Sequence, residues 1–189
     1  QYTWLAPHDV AGLEACFGSR ESMLEKLDSL FMAPSVLTGD ASPDITGLIG
    51  QYAHGNEPGH HTPYLYTMLG HPRRTSELVR RILDEMYTTG TDGLCGNEDA
   101  GQMSAWFVLS SLGFYQVEPA GGRYWFGSPR YEKAEVEVPG GTFVIVAKGA
   151  SEKRCHIASV KLNGKPYDLP YITHRDIVKG GALEFEMSE

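Results

Sequence analysis

Three stretches of this sequence hold more side-chain oxygen and nitrogen than a chain reversal requires. The densest runs Gly93-Leu94-Cys95-Gly96-Asn97-Glu98-Asp99-Ala100-Gly101-Gln102-Met103-Ser104-Ala105-Trp106. Asn97, Glu98, Asp99 and Gln102 put two carboxylates and two amides within six residues, flanked by glycines that let the backbone approach a ligand closely. The structural reading is that Asn97 or Asp99 caps the helix that follows. The chemical reading is that Asp99, at the positive end of that helix, is a charged carboxylate suited to taking a proton from water as a general base. One residue can serve both roles.

The second stretch, Tyr52-Ala53-His54-Gly55-Asn56-Glu57-Pro58-Gly59-His60-His61, concentrates His54, Asn56, Glu57, His60 and His61. Adjacent histidines at a helix start point about 100° apart, so one metal ion shared by His60 and His61 is disfavoured. One imidazole packed on an aromatic ring and one lining a pocket is the better expectation. Asn56 and Glu57 are oxygen donors, which suit calcium rather than zinc. The alternative for Glu57 is service to the dipole of the next helix. In the third stretch, Trp4-Leu5-Ala6-Pro7-His8-Asp9, Trp4 and His8 offer a ring on which a sugar stacks and a partner for its hydroxyls. The competing reading makes both core residues at a domain seam.

Helices must position these loops. Ser19 reads as an N-cap before Met23, Leu24, Leu27, Leu30 and Phe31, which share one helix face. Thr62-Pro63 opens a second helix that stops at Gly70, and a third after Thr75 carries Leu78, Val79, Ile82, Leu83 and Met86. A fourth begins near Asp99 and runs to Gly113, apolar over most of its circumference and therefore expected to be buried on most sides. Short connections imply antiparallel helix pairs. Beyond the Pro119-Ala120-Gly121-Gly122 linker the period becomes two: Ala134, Val136 and Val138 alternate with Glu135 and Glu137, and Leu183 to Met187 alternate again. Val160-Lys161-Leu162 before Asn163-Gly164 signals a hairpin. This divides the chain into helical residues 1–121 and an antiparallel β region, 122–189.

Bulk properties exclude several functions. Sixteen basic residues against 24 acidic ones give a net charge of −8 without a basic run, which disfavours nucleic acid or an anionic membrane as partner. No stretch is long and apolar enough to span a membrane. The three cysteines lack ligand spacing, so a zinc site is disfavoured and buried free thiols are expected.

The ordered runs Gln1-Tyr2-Thr3-Trp4 with Pro7-His8-Asp9, His54-Gly55-Asn56-Glu57-Pro58 with His60-His61, and Gly96-Asn97-Glu98-Asp99 with Gly101-Gln102-Met103-Ser104-Ala105-Trp106 resemble glycoside hydrolase family 92. Gly113-Phe114-Tyr115, Val117 and Pro119 continue the likeness, which covers essentially the whole chain. The resemblance implies part of a secreted, periplasmic or cell-surface exo-α-mannosidase of bacterial type. It implies inversion at the anomeric carbon, a calcium cofactor, and a mannoside or N-glycan-type oligosaccharide substrate, typically α-1,2-linked. The implied fold is mainly α with a β tail, the C-terminal helices of an (α/α)6 barrel whose active site faces an N-terminal β-sandwich. Asp99 matches the general base. Asn97 stands where some members carry a second acid, which weakens any shared-base role and leaves it a supporting residue. Asn56 and Glu57 match a segment lining the calcium and the bound sugar, with His54, His60, His61, Gln102, Trp4 and His8 as substrate-binding residues. The general acid is expected just before Gln1, with Glu57 as second candidate. The partner is then the N-terminal half of the same enzyme, and the isolated 189 residues are expected to hydrolyse nothing. Two rival classes remain: a carbohydrate-binding or structural module, and a metal-independent (α/α)6 glycosidase or phosphorylase.

Overall fold

The structure is a computed structural model and describes residues 2–118 and 120–189; Gln1 of the first motif and Pro119 of the expected linker lie outside the described residues. A single helical turn, Tyr2–Trp4, precedes α1 (Val10–Cys16) and α2 (Arg20–Met32). A short hairpin follows, β1 (Leu48–Ile49) and β2 (Tyr52–Ala53), then 3-10 turns at Glu57–Gly59 and Thr62–Tyr64, α3 (Leu65–Met68), α4 (Pro72–Glu85) and α5 (Gln102–Ser111). The remainder contains β3 (Phe114–Tyr115), β4 (Arg123–Phe126), β5 (Lys133–Val138), β6 (Gly141–Val146), β7 (His156–Leu162), β8 (Lys165–Pro166) and β9 (Tyr171–Thr173). A last short helix, α6 (His174–Val178), leads into β10 (Gly181–Ser188).

The expected mainly-α, barrel-like fold is not what the chain forms. Among the described residues helix accounts for 33% and strand for 24%, in three sheets. The physical reason is that polar loops take up much of the N-terminal half, residues 33–47 and 88–101 among them, and α1, α3 and α6 are only seven, four and five residues long. Nor is the β region wholly antiparallel. The five-stranded sheet runs β5-β6-β10-β7-β8, and β10 lies parallel to β6 with Leu183 opposite Ile145.

Local signals held where the chain decides locally. Ser19 accepts the Ser22 N–H at 3.1 Å and starts α2, whose Met23, Leu27 and Leu30 are buried. Asn163 and Gly164 take positive φ, 52° and 75°, in the β7–β8 hairpin. Thr75 is not at a helix start. It lies inside α4, where its hydroxyl donates to the Pro63 carbonyl and accepts the Thr67 N–H, both at 2.9 Å. α5 starts at Gln102 and buries Met103 and Trp106, but Val108 is 54% exposed, so the apolar circumference is only partly covered. The cysteines are all free; Cys155 is buried, Cys95 half-buried, and Cys16 at the surface against expectation.

Two apolar cores result. One joins α2, α3, α4 and Trp106; the other fills the five-stranded sheet around Phe143, Ile145, Leu183 and Phe185. The small sheet β3-β4-β9 stitches them, because neighbouring strand residues point to opposite faces. On β4, Trp125 enters the first core and Phe126 the second. A division at residue 121 therefore falls between β3 and β4, which pair directly. Buried polar contacts add to the seam: Ser76 Oγ donates to the Gly127 carbonyl at 2.8 Å and Arg80 Nη2 to the Pro129 carbonyl at 2.6 Å. Arg80 is 7% exposed, and burial pulls its guanidinium pKa down. Among the described residues no helix is long and apolar enough to cross a membrane.

Arg80→Ala leaves the Pro129 carbonyl without its buried donor and opens a void. We expect it to destabilise the chain by about 2–3 kcal/mol, read from urea denaturation, against about 1 kcal/mol for Ser76→Ala. An Arg80 variant as stable as wild type would contradict this account of the seam.

Candidate functional site

Glycines bring the polar segments together. A Cβ on Gly96 would stand 2.6 Å from the Gly55 Cα, and one on Gly47 would stand 2.5 Å from Cys95 Sγ. The segment carrying Asn56 and Glu57 therefore lies backbone to backbone against the segment carrying Asn97 and Asp99. Trp4 joins by its carbonyl, which accepts the His61 Nε2–H at 2.6 Å. His8 is exposed and has no hydrogen-bond partner among the described residues, so the contacts that join the other segments do not include it. Its neighbour Asp9 caps α1 through the Gly12 N–H.

Beneath the loops the histidines form a closed network. Tyr87 spends its single hydroxyl proton on the Met103 carbonyl at 3.1 Å. His54 Nε2 must then carry hydrogen and donate to Tyr87 Oη at 2.7 Å, leaving Nδ1 to accept from Tyr52 O–H at 2.8 Å. His60 Nε2–H donates to the His54 carbonyl at 2.9 Å. Its Nδ1 accepts one Gln102 amide hydrogen at 3.1 Å, and the other goes to Tyr115 Oη at 2.9 Å. Trp106 lies under the network, 4.4 Å from the His54 ring, and its indole N–H meets the His60 carbonyl at 3.0 Å. Both nitrogens of His54 and His60 are thus engaged inside the protein.

Burial sets the protonation of these groups. His54 is held well below the usual imidazole range, His60 at about 4, and His61 is also lowered, in each case chiefly by desolvation of the charged form. The Tyr52 and Tyr87 hydroxyls are pushed upward for the same reason. At neutral pH the histidines are neutral braces rather than proton donors.

The oxygens of the second and third segments are disposed differently. Glu57 Oε1 is buried and meets no hydrogen-bond donor, and Asn56 lies just before a 3-10 turn without capping it. Buried Thr46 Oγ1, against Gly55, also lacks a donor or acceptor. Asn56 lines a cavity of about 190 Å³ with Tyr2, Trp4, Leu5 and Tyr52. Trp4 is 2% exposed and stacked on Phe17 at 5.8 Å, whereas Tyr2 is 89% exposed and offers an open ring at the rim. A larger cavity, about 450 Å³, lies between α4 and the β7–β8 hairpin and shares no lining residue with these loops.

The α5 cap expected of Asn97 or Asp99 comes instead from Glu98, whose carboxylate accepts the Ser104 N–H at 3.1 Å and the Ser104 Oγ–H at 2.8 Å. Asn97 and Asp99 are exposed, and neither side chain has a hydrogen-bond partner among the described residues. Asp99 and Ala100 take φ of 27° and 57°, in the left-handed region that non-glycine residues adopt at a cost on the order of 1–3 kcal/mol each. Such strain collects where a side chain must be aimed. Residue type alone did not distinguish Glu98 from Asp99; the six-residue reach to Ser104 depends on the left-handed turn between them, which residue type does not reveal.

A pH dependence follows. A histidine whose folded pKa lies below its unfolded value binds fewer protons in the folded state, so stability rises with pH between the two values. The contribution of His60 is fully present above about pH 6.5 and is lost as pH falls toward its folded value of about 4, with His54 and His61 acting in the same sense. Urea denaturation at a series of pH values should show stability falling below pH 6.5. His60→Gln should flatten that slope, and an unchanged slope would contradict the neutral network.

The pattern of the glycosyl hydrolase family 92 catalytic domain matches residues 1–189. An "uncharacterized secreted glycosidase" from Arthroderma benhamiae is 24% identical over 190 residues, covering 98% of this chain and 22% of that protein. The family GH92 α-mannosidase BT3965 from Bacteroides thetaiotaomicron, solved with mannoimidazole, superimposes with a TM-score of 0.91 at 40% identity, covering 99% of this chain and 25% of that one. The inverting mannosidase BT2199 of the same organism gives a TM-score of 0.84 at 37% identity, over 98% and 26% of the two chains. The chain thus spans about a quarter of the length of these relatives. Matched by the family pattern over residues 1–189, and superimposing on two of its solved members, this chain belongs to glycosyl hydrolase family 92.

Proposed function

We propose that these residues form the water-activating side of the active site of an inverting exo-α-mannosidase, within a polypeptide of the length its relatives have. The observation that carries the reading is Asp99: an exposed carboxylate, free of protein hydrogen bonds among the described residues and held in a left-handed turn. A base of this kind takes a proton from water as the water oxygen attacks the anomeric carbon. The glycosidic C–O bond breaks, and the leaving oxygen takes a proton from a second carboxylate on the opposite face, about 6.5–9.5 Å from the first. We place that acid outside residues 1–189, so the isolated chain is inactive. His54, His60 and His61, buried and neutral, support this placement, since none of these three is poised to donate at neutral pH. The substrate is a mannoside, with an α-1,2 linkage as the working assignment, and a secreted or cell-surface location suits it. The inverting mannosidase and the mannoimidazole complex among the relatives support the reaction class.

Calcium fits part of this surface. Glu57 Oε1 is buried without a donor, and Asn56 adds a second side-chain oxygen on the neighbouring residue. Among the described residues no three His, Cys, Asp or Glu are grouped so as to hold a metal ion, so carbonyls, water and sugar hydroxyls would complete any shell. When bound, the ion supplies a hard cation that coordinates oxygen. Asn56 and Glu57 would hold the ion, beside the cavity that Trp4 and Tyr2 wall.

Asp99→Asn in the longer polypeptide should lower kcat by about a thousandfold or more on an α-mannoside with mannose binding retained. Unchanged turnover would remove Asp99 from the reaction and favour a binding module. Chelation with excess EDTA should abolish activity and added calcium restore it; activity that survives chelation contradicts the assignment of Asn56 and Glu57.

A further inference from the structure

Glu98 stands between Asn97 and Asp99, yet its carboxylate is committed within the protein. Oε1 accepts the Ser104 backbone N–H at 3.1 Å and Oε2 the Ser104 Oγ–H at 2.8 Å. The α5 N-cap is Gly101, which has no side chain for the task. Between the two ends of this clamp the backbone passes through three successive left-handed residues, Asp99, Ala100 and Gly101, with φ of 27°, 57° and 81°. The Gln102 N–H is shared between the carbonyls of Glu98 and Asp99, both at 3.1 Å. Asp99 and Ala100 would relax from such a conformation unless both ends of the turn were fixed. The lower end is fixed by α5, which Gln102 ties to His60. The upper end is fixed by the Glu98 carboxylate.

We propose that Glu98 is the positioning residue for Asp99: by locking the strained turn onto the first turn of α5, it sets the direction in which the Asp99 carboxylate points. The inference rests on the reading of Asp99 as the base. The chemistry of the clamp is specific. The anionic carboxylate meets the N-terminal end of α5, where backbone N–H groups lack intrahelical acceptors. A glutamine keeps the length but loses the charge and exchanges one acceptor for a donor. An aspartate is one methylene too short to span the turn. Ser104→Ala deletes one arm and leaves the backbone N–H in place.

The test is steady-state kinetics of the full-length enzyme on an aryl α-mannoside, with unfolding midpoints recorded on the same samples. Glu98→Gln should lower kcat about tenfold or more while KM stays within about threefold, because a misdirected base impairs the chemical step rather than binding. Ser104→Ala should lower kcat by about threefold, and the double variant should be no worse than Glu98→Gln alone, since the two residues form one clamp. In an Asp99→Asn background, Glu98→Gln should change the residual rate by less than about twofold, whereas a purely structural cap costs the same factor in both backgrounds. Wild-type kcat in a folded Glu98→Gln, or an equal loss in both backgrounds, overturns the inference. Should Glu98→Gln fail to fold, Ser104→Ala decides, and wild-type kcat there overturns it. Wild-type activity of Asp99→Asn is a separate result that overturns the base assignment itself.

Discussion

Because neither Gly55 nor Gly96 carries a Cβ, two segments far apart in sequence meet backbone to backbone, and the polar surface of this chain depends on that contact. A methyl group at Gly96 would stand 2.6 Å from the Gly55 Cα, so something must shift for any other residue to fit. His54 immediately precedes the contact on one side; Asn56 and Glu57 follow it. On the other side lie Asn97, Glu98 and Asp99. Separating the segments would break the His60–Gln102 hydrogen bond, and with it the link from the histidine network to Tyr115.

Burial then divides the labour. For His54 and His60 desolvation outweighs every other influence, which holds them neutral and makes them rigid acceptors and donors with fixed tautomers. A fully satisfied buried network of this kind rigidifies what sits on it. Charge remains where solvent or a helix terminus can support it: on exposed Asp99, and on Glu98 against the N-terminal N–H groups of α5. Glu57 is the exception, with a buried oxygen that nothing within the described residues satisfies, and it is there that we propose a cation.

Elements governed by neighbours in sequence were legible before the structure. Ser19 capped α2, Asn163-Gly164 turned the hairpin, and the alternation of Ala134 to Val138 gave a strand, because each depends on a few adjacent residues. The residue types of the three polar stretches also pointed to a site, but not to the role of each member. Thr75 was placed ahead of the third helix and instead lies inside α4, where its hydroxyl bonds Pro63 and Thr67 across the chain reversal, a contact that helical periodicity does not encode. Glu98 looked like one acid among several, and only its reach to Ser104 sets it apart. His54 was read, by family likeness, as a substrate-binding residue, and its two ring nitrogens are engaged by tyrosines within the core. The barrel expectation came from family likeness, and the strands from Phe114 onward, together with the brevity of α1 and α3, make the chain's own fold a mixed one. The alternation that sends Trp125 and Phe126 into different cores is written in β4 but becomes readable only once both cores are known.

The account's central claim is that Asp99 activates water and does not itself attack the sugar. The stereochemistry of the first product tests this directly. If full-length enzyme cleaves an α-mannoside inside the NMR tube, the H1 signal that appears first should be that of β-mannose, with α-mannose growing later by mutarotation. α-Mannose as the first product would require a covalent intermediate and two displacements, and would contradict the role given to Asp99.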